Sequence, residues 1–408
     1  MFLQSLPLVF VLAGVALYAV LGGADLGAGF WQLAAARAPD GQSIRAFAHR
    51  AMGPVWEANH VWLIFVLTVF WTSYPRAFES IMSTLAVPLF IALVGIIFRG
   101  AAYALREGAA TPRESGRIDT LFALSSILVP FALGAAIGGI ATNRVPVGNA
   151  AGHLWSSWLN PTSIVIGLLA VTNSAYLAAV YLAADAGHDG ERRLEGSFRL
   201  RALGSGVVAG MVAIGGVVVV NADDHRLFHS LLSGRALAAV IVSGLAGLAT
   251  LVLVYRRRYE PARYAASLAV AAIIAGWALS RWPTILPHLT VHQAAADHDT
   301  LICVVVAVLG GAVLLFPSLA LLFGLTLVGR FRGGEHGARE QPPGGRAHLK
   351  VPLLARGAGA CLIAGFGLLN IADAPWAHTL GVACLAGFVA LAFCAIVIPA
   401  LDGQAATR

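Results

Sequence analysis

The chain has 408 residues, of which 58% are hydrophobic and only 12% charged, and its mean hydropathy is +0.79. So little polar surface cannot cover a soluble globule of this size, and most of the chain must have lipid as its solvent. The net charge of +7 is carried by arginines spread over many loops and not by one basic domain, which argues against nucleic acid as a partner.

Long apolar runs separated by short Arg-, Gly- or Pro-bearing segments recur from end to end, whereas barrel strands would alternate in polarity over about ten residues. The pattern predicts an all-α polytopic membrane protein with eleven spans, at 7–35, 55–73, 78–105, 117–140, 161–185, 203–221, 236–255, 263–281, 300–328, 353–372 and 379–400. The first run lacks a basic leader and continues past Gly29, so it is expected to be a span and not a cleaved signal. Alternate loops differ sharply in basic residues: nineteen Lys and Arg fall in the odd loops and five in the even ones. The positive-inside bias then puts the odd loops and the carboxyl terminus in the cytoplasm and the amino terminus outside. Residues 329–352 contain GGEHGARE followed by QPPGG, a Gly/Pro/charge mixture that reads as a flexible cytoplasmic linker. It divides a body, 1–328, from a two-helix extension, 353–408.

Ionisable side chains at membrane depth are costly and each needs a reason. Asp25, in GGADLGAGF, is expected about 15 Å from the cytoplasmic end of the first span. Glu57, in VWEANHVWL, lies just inside the second, and Arg99, in IIFRGAAYALR, about 9 Å inside the third. Two readings stand. In one, Asp25 and Glu57 exchange protons along a hydrated path from the cytoplasm, tuned by Arg99. In the other, Arg99 satisfies a buried carboxylate and the glycines around Asp25 let helices pack closely. Helical spacing places His60 near Glu57, with Trp56 one turn below, and turns Asn59 largely the other way. A single His60 suits packing or a proton relay better than heme, since a membrane b-type heme usually needs two facing axial imidazoles.

Two further pairs, His225 with His229 and His288 with His292, have i, i+4 spacing in outward loops. A surface metal site and solvated loop residues are both open there, and no third ligand has convincing spacing. The cysteines Cys303, Cys361, Cys384 and Cys394 lie in apolar runs without CxxC spacing and read as small buried side chains. There is no P-loop, dinucleotide-binding turn, CxxCH heme attachment or nucleophile elbow, so catalysis by this chain alone is not expected.

The segments YAVLGGADLGAGF (Tyr18 to Phe30), GPVWEANHVWLIF (Gly53 to Phe65), FWTSYPRAF (Phe70 to Phe78) and FRGAAYALR (Phe98 to Arg106) resemble, in order, subunit II of cytochrome bd-type quinol oxidases. WLNPTSIVIGLLAV near Trp158 and WPTILP before the ninth span extend the resemblance over roughly the first 328 residues. It implies a nine-helix body built as two four-helix bundles plus a peripheral helix. It also implies a heme-free subunit, with heme b, heme d or a b-type substitute and the quinol site in a larger subunit I. The two C-terminal helices have no counterpart in that body, and three roles stand open for them: docking a small accessory subunit, replacing a small third subunit, or adding lipid-facing bulk. By the same resemblance, Asp25 and Glu57 supply protons to the oxygen-reducing heme, with Trp56, Asn59, His60 and Arg99 as supporting residues. This chain departs from the family pattern at His60, where an acid is frequent, and at Ala24, where an aromatic is common; both could alter the proton route. The expected location is a bacterial plasma membrane. A proton-coupled secondary transporter would use the same carboxylates, though no inverted repeat is evident, and a purely structural scaffold is a third reading.

Overall fold

The computed structural model describes residues 2–35, 41–52, 56–106, 111–327, 350–371, 376–377, 379–388 and 390–391; the side chains of Trp56 and Glu57 lie outside the described set. Among the described residues, eight helices are long and apolar enough to cross a membrane, and Asn59–Ser73 and Thr379–Phe388 are shorter apolar helices. The chain forms two compact units, Met1–Pro317 and Ser318–Arg408.

The first span is not one uniform helix. α1 (Phe2–Leu17) passes through a π-helical turn at Tyr18–Gly22 into α2 (Gly23–Ala34). The second span is α4 (Trp56–Ser73). The third, expected as one helix over 78–105, is broken at Leu85 into α5 (Pro75–Thr84) and α6 (Ala86–Arg106). Pro75 begins α5 with a missing N–H that costs nothing at that position. The Ser80 and Ser83 hydroxyls accept from Gly148 N and Ala150 N, which docks α5 onto the loop after the fourth span. Four longer helices follow: α7 (Pro112–Ala141), α8 (Pro161–His188), α9 (Arg192–Asp223) and, after the short α10 (His225–Leu231), α11 (Gly234–Tyr255). Thr111 and Asn160 cap α7 and α8 by accepting from Glu114 N and Ser163 N, with Pro next in sequence in both cases. α12 (Tyr259–Arg281) leads to a two-stranded antiparallel hairpin, β1 (Thr284–Leu286) and β2 (Leu289–Thr290), then to α13 (Val291–Ala294) and α14 (His298–Leu327).

Spans one to four pack through α1 on α4, α6 on α7 and α2 on α7; spans five to eight pack through α8 on α9, α11 on α12, α11 on α9 and α12 on α8. The two bundles meet where α8 lies against α2 and α7, while among the described residues α14 has no comparable partner and is peripheral. This is the two-bundle arrangement with a ninth helix that the resemblance implied. The connecting segments gather at two ends. At one, Tyr74 donates to Gln4 O, Ala296 N to Ser73 O and Arg281 to Ala141 O, while Arg144 pairs with Asp223 at 2.7 Å. At the other, where the arginine-rich loops gather, Arg199 donates to the carbonyls of Val254 and Tyr255, and Tyr259 donates to Glu195.

One helix at the basic end lies where the sequence predicts a loop. α3 (Gly41–Met52) buries Ile44, Phe47 and Ala48 against α2 and α8, and Phe47 meets Phe198 at 5.9 Å. The apolar i, i+3, i+4 spacing was present, but between basic residues and in a segment too short to cross lipid.

The Ser318–Arg408 unit contains α15 (Lys350–Ile371) and the helical residues 379–388. Gly365 faces Leu385 and the Gly381 carbonyl so closely that a Cβ would lie within 3.0 Å of both, the small-residue contact that packs membrane helices where no hydrophobic force drives them together. The linker expected at 329–352 and Cys394 lie almost wholly or wholly outside the described residues.

A candidate proton-handling site beside the π-turn

Asp25 sits in the first turns of α2 and Arg99 near the basic end of α6; each is 1% exposed. A guanidinium Nη2 donates to Asp25 Oδ1 at 2.6 Å and to the Asp25 carbonyl at 2.8 Å. Nη1 donates to the hydroxyl of Ser126 on α7, and the guanidinium carbon lies 4.1 Å from the centre of the Phe122 ring. Three spans thus converge on one cation. In a low-dielectric interior the opposed charges and the oriented donors compensate much of the desolvation that either ion alone would suffer.

Compensation is incomplete in a definite direction. Asp25 Oδ2, Arg99 Nε and Tyr18 OH are buried and have no hydrogen-bond partner among the described residues. Asp25 is therefore pinned through one oxygen and open at the other. Tyr18 is the first residue of the π-turn, a wider helical turn of the kind that recurs at functional sites. The turn is held from the second span: Asn59 is buried and its amide donates to Leu21 O at 3.2 Å, while the His60 ring packs edge-on to Tyr18 at 6.1 Å between centroids. Asn59, expected to face away from the side that carries His60, instead turns with it toward the first span. Successive helical residues differ by about 100° and the seam between the two helices runs between them.

Close approach requires two glycines. A Cβ at Gly27 would overlap the Ser174 carbonyl on α8, and one at Gly29 would collide with Ser126 Oγ and come within 3.0 Å of Arg99 Nη1. The expected contact-permitting role thus falls on Gly27 and Gly29. Sequence reasoning passed over Ser126 and Phe122; the only signal was the Ser125-Ser126 pair in an apolar run. Tyr18 belongs to the first motif, but nothing in the motif marks it as a neighbour of the Asp25 site. Trp56 and Glu57 cannot be placed relative to this cluster, since their side chains are outside the described residues.

The other candidates separate cleanly. His225 and His229 bring their rings together, whereas His288 lies in the turn between β1 and β2 and His292 on α13, both exposed. Cys303, Cys361 and Cys384 are free thiols. No group of three or more His, Cys, Asp or Glu side chains able to hold a metal occurs among the described residues.

The chain is 23% identical over 326 residues to cytochrome bd-I ubiquinol oxidase subunit 2 of Escherichia coli K12, covering 70% of this chain and 83% of that protein. A shorter segment of 83 residues is 28% identical to cytochrome bd ubiquinol oxidase subunit 2 of Bacillus subtilis 168, covering 20% of this chain and 25% of the relative. The fold is similar to a chain of the bd oxidase from Geobacillus thermodenitrificans, with a TM-score of 0.65, 25% identity, and coverage of 80% of this chain and 99% of that one. Residues 3–326 match the family described as cytochrome bd terminal oxidase subunit II, and the chain belongs to that family.

Proposed function

We propose that this chain is the heme-free subunit of a quinol:oxygen oxidoreductase, paired with a heme-bearing subunit I, and that Asp25 and Glu57 pass protons from the cytoplasm toward the oxygen-reducing heme in that partner. The observation that carries the proposal is the half-satisfied carboxylate: Asp25 Oδ2 is buried and, like the Tyr18 hydroxyl in the π-turn region, has no hydrogen-bond partner among the described residues. A group held for packing alone gains most when every polar atom is satisfied; one that exchanges a proton needs a free oxygen. Heme and quinol chemistry belong to the partner, and the edge-on packing of His60 on Tyr18 supports a packing or relay role for it. The gathering of arginine-rich loops at one end supports placing that end, and the carboxyl terminus, in the cytoplasm. Asp25, nine residues before the end of α2, is then about 14 Å from that end, within reach of a short hydrated path.

A structural reading has its own support in the Asp25–Arg99–Ser126 contacts, which tie three spans together. Two variants separate the readings. Asp25→Asn in the intact complex should lower oxygen consumption at least tenfold while the reduced-minus-oxidised heme spectrum persists. Because that change strands the Arg99 charge, the doubly neutral Asp25→Asn/Arg99→Gln complex is measured beside it. Low turnover in both supports proton delivery; recovery in the double variant would show that only charge balance matters at this position.

A further inference from the structure

The exposed end of the second bundle carries a feature that proton delivery does not use. α10 is a seven-residue helix whose first and fifth residues are His225 and His229, and their Nε2 atoms lie 3.0 Å apart with the ring planes at 86°. His225 Nδ1 lies 2.9 Å from Asn221 Oδ1. An amide oxygen only accepts, so in the tautomer that donates to Asn221 from Nδ1 the His225 ring presents a lone pair at Nε2. A neighbour that fixes the tautomer in this way is the usual outer support of a metal-binding histidine. The Phe228 ring stacks on His225 at 6.1 Å between centroids and orients it further.

We propose that His225 and His229 form a two-imidazole site for copper(II). The two Nε2 atoms lie close enough for one metal ion to bind both. Copper(II) binds nitrogen sites most tightly among the divalent first-row ions. The adjacent carboxylates have other work: Asp224 accepts from Arg226 N and Leu227 N at the start of α10, and Asp223 is held by Arg144 and Thr162. Both still add negative potential near the pair, while solvent completes the coordination.

The test is copper(II) sulfate titration of the chelator-washed complex in mild detergent, with metal counted per chain and the copper(II) resonance spectrum recorded. Wild type should hold one equivalent more than His225→Gln or His229→Gln, with nitrogen hyperfine structure from two imidazoles that disappears in each variant. Asn221→Leu should bind about ten- to a hundredfold more weakly. Both histidines are exposed, so the fold should tolerate these changes, and retained helicity and elution volume verify it. Equal copper stoichiometry, affinity and spectra in wild type and both histidine variants would overturn the site and leave a histidine pair that shares only a proton.

Discussion

Asp25 with Arg99 and Asp185 with Arg263 are the same two residue types joined across helices, one pair in each bundle, yet their surroundings differ. The first pair has side chains 2% exposed on both partners; in the second they are 22% for Arg263 and 36% for Asp185. Arg263 also donates to the Tyr181 carbonyl and lies over the Tyr181 ring. Water can therefore take over if the second pair is broken. It can do so far less for the first, where the remaining ion would be left in a buried interior. The comparison teaches that depth, more than pairing, decides what such a bridge contributes.

The contrast should be largest when each arginine is removed in turn. Arg99→Leu should destabilise the chain by about 3–5 kcal/mol and reduce the yield of assembled complex, read as thermal unfolding in detergent and heme per protein. Arg263→Leu is expected to cost no more than about 1 kcal/mol in the same assay; equal losses would remove depth as the deciding variable. Between these extremes, Gly29→Ala pushes a methyl group into Ser126 and Arg99 and should cost about 1–3 kcal/mol, whereas Gly196→Ala, with nothing near its Cβ, should be neutral or slightly stabilising. The smallest loss at the deep site is expected for Asn59→Leu, which removes one hydrogen bond to the π-turn, about 1 kcal/mol. A larger change in turnover than in stability for that variant would indicate that the turn positions Tyr18 and Asp25 for proton exchange.

Much of the architecture was legible because lipid imposes a simple rule: a helix that crosses must be long and apolar, and its basic flanks segregate. The nine body spans and the peculiarity of Asp25 and Arg99 follow from that rule alone, and the ordered motifs indicated the family. Hydropathy has little to say about segments that do not cross. It merged α5 with α6 because apolar residues bridge the break at Leu85, and it missed α3 because that helix buries one face against protein.

The sequence by itself determined which segments are long and apolar enough to cross a membrane, which loops are basic and which polar residues needed explanation, since each of these depends on local composition and length. Only the tertiary structure decided that Arg99 reaches Asp25 and Ser126, that Asn59 holds the π-turn and that one oxygen of Asp25 has no partner among the described residues. Those facts depend on the rotation and depth at which separate helices meet. Side-chain packing sets these to within an ångström, which no periodicity along a single helix encodes.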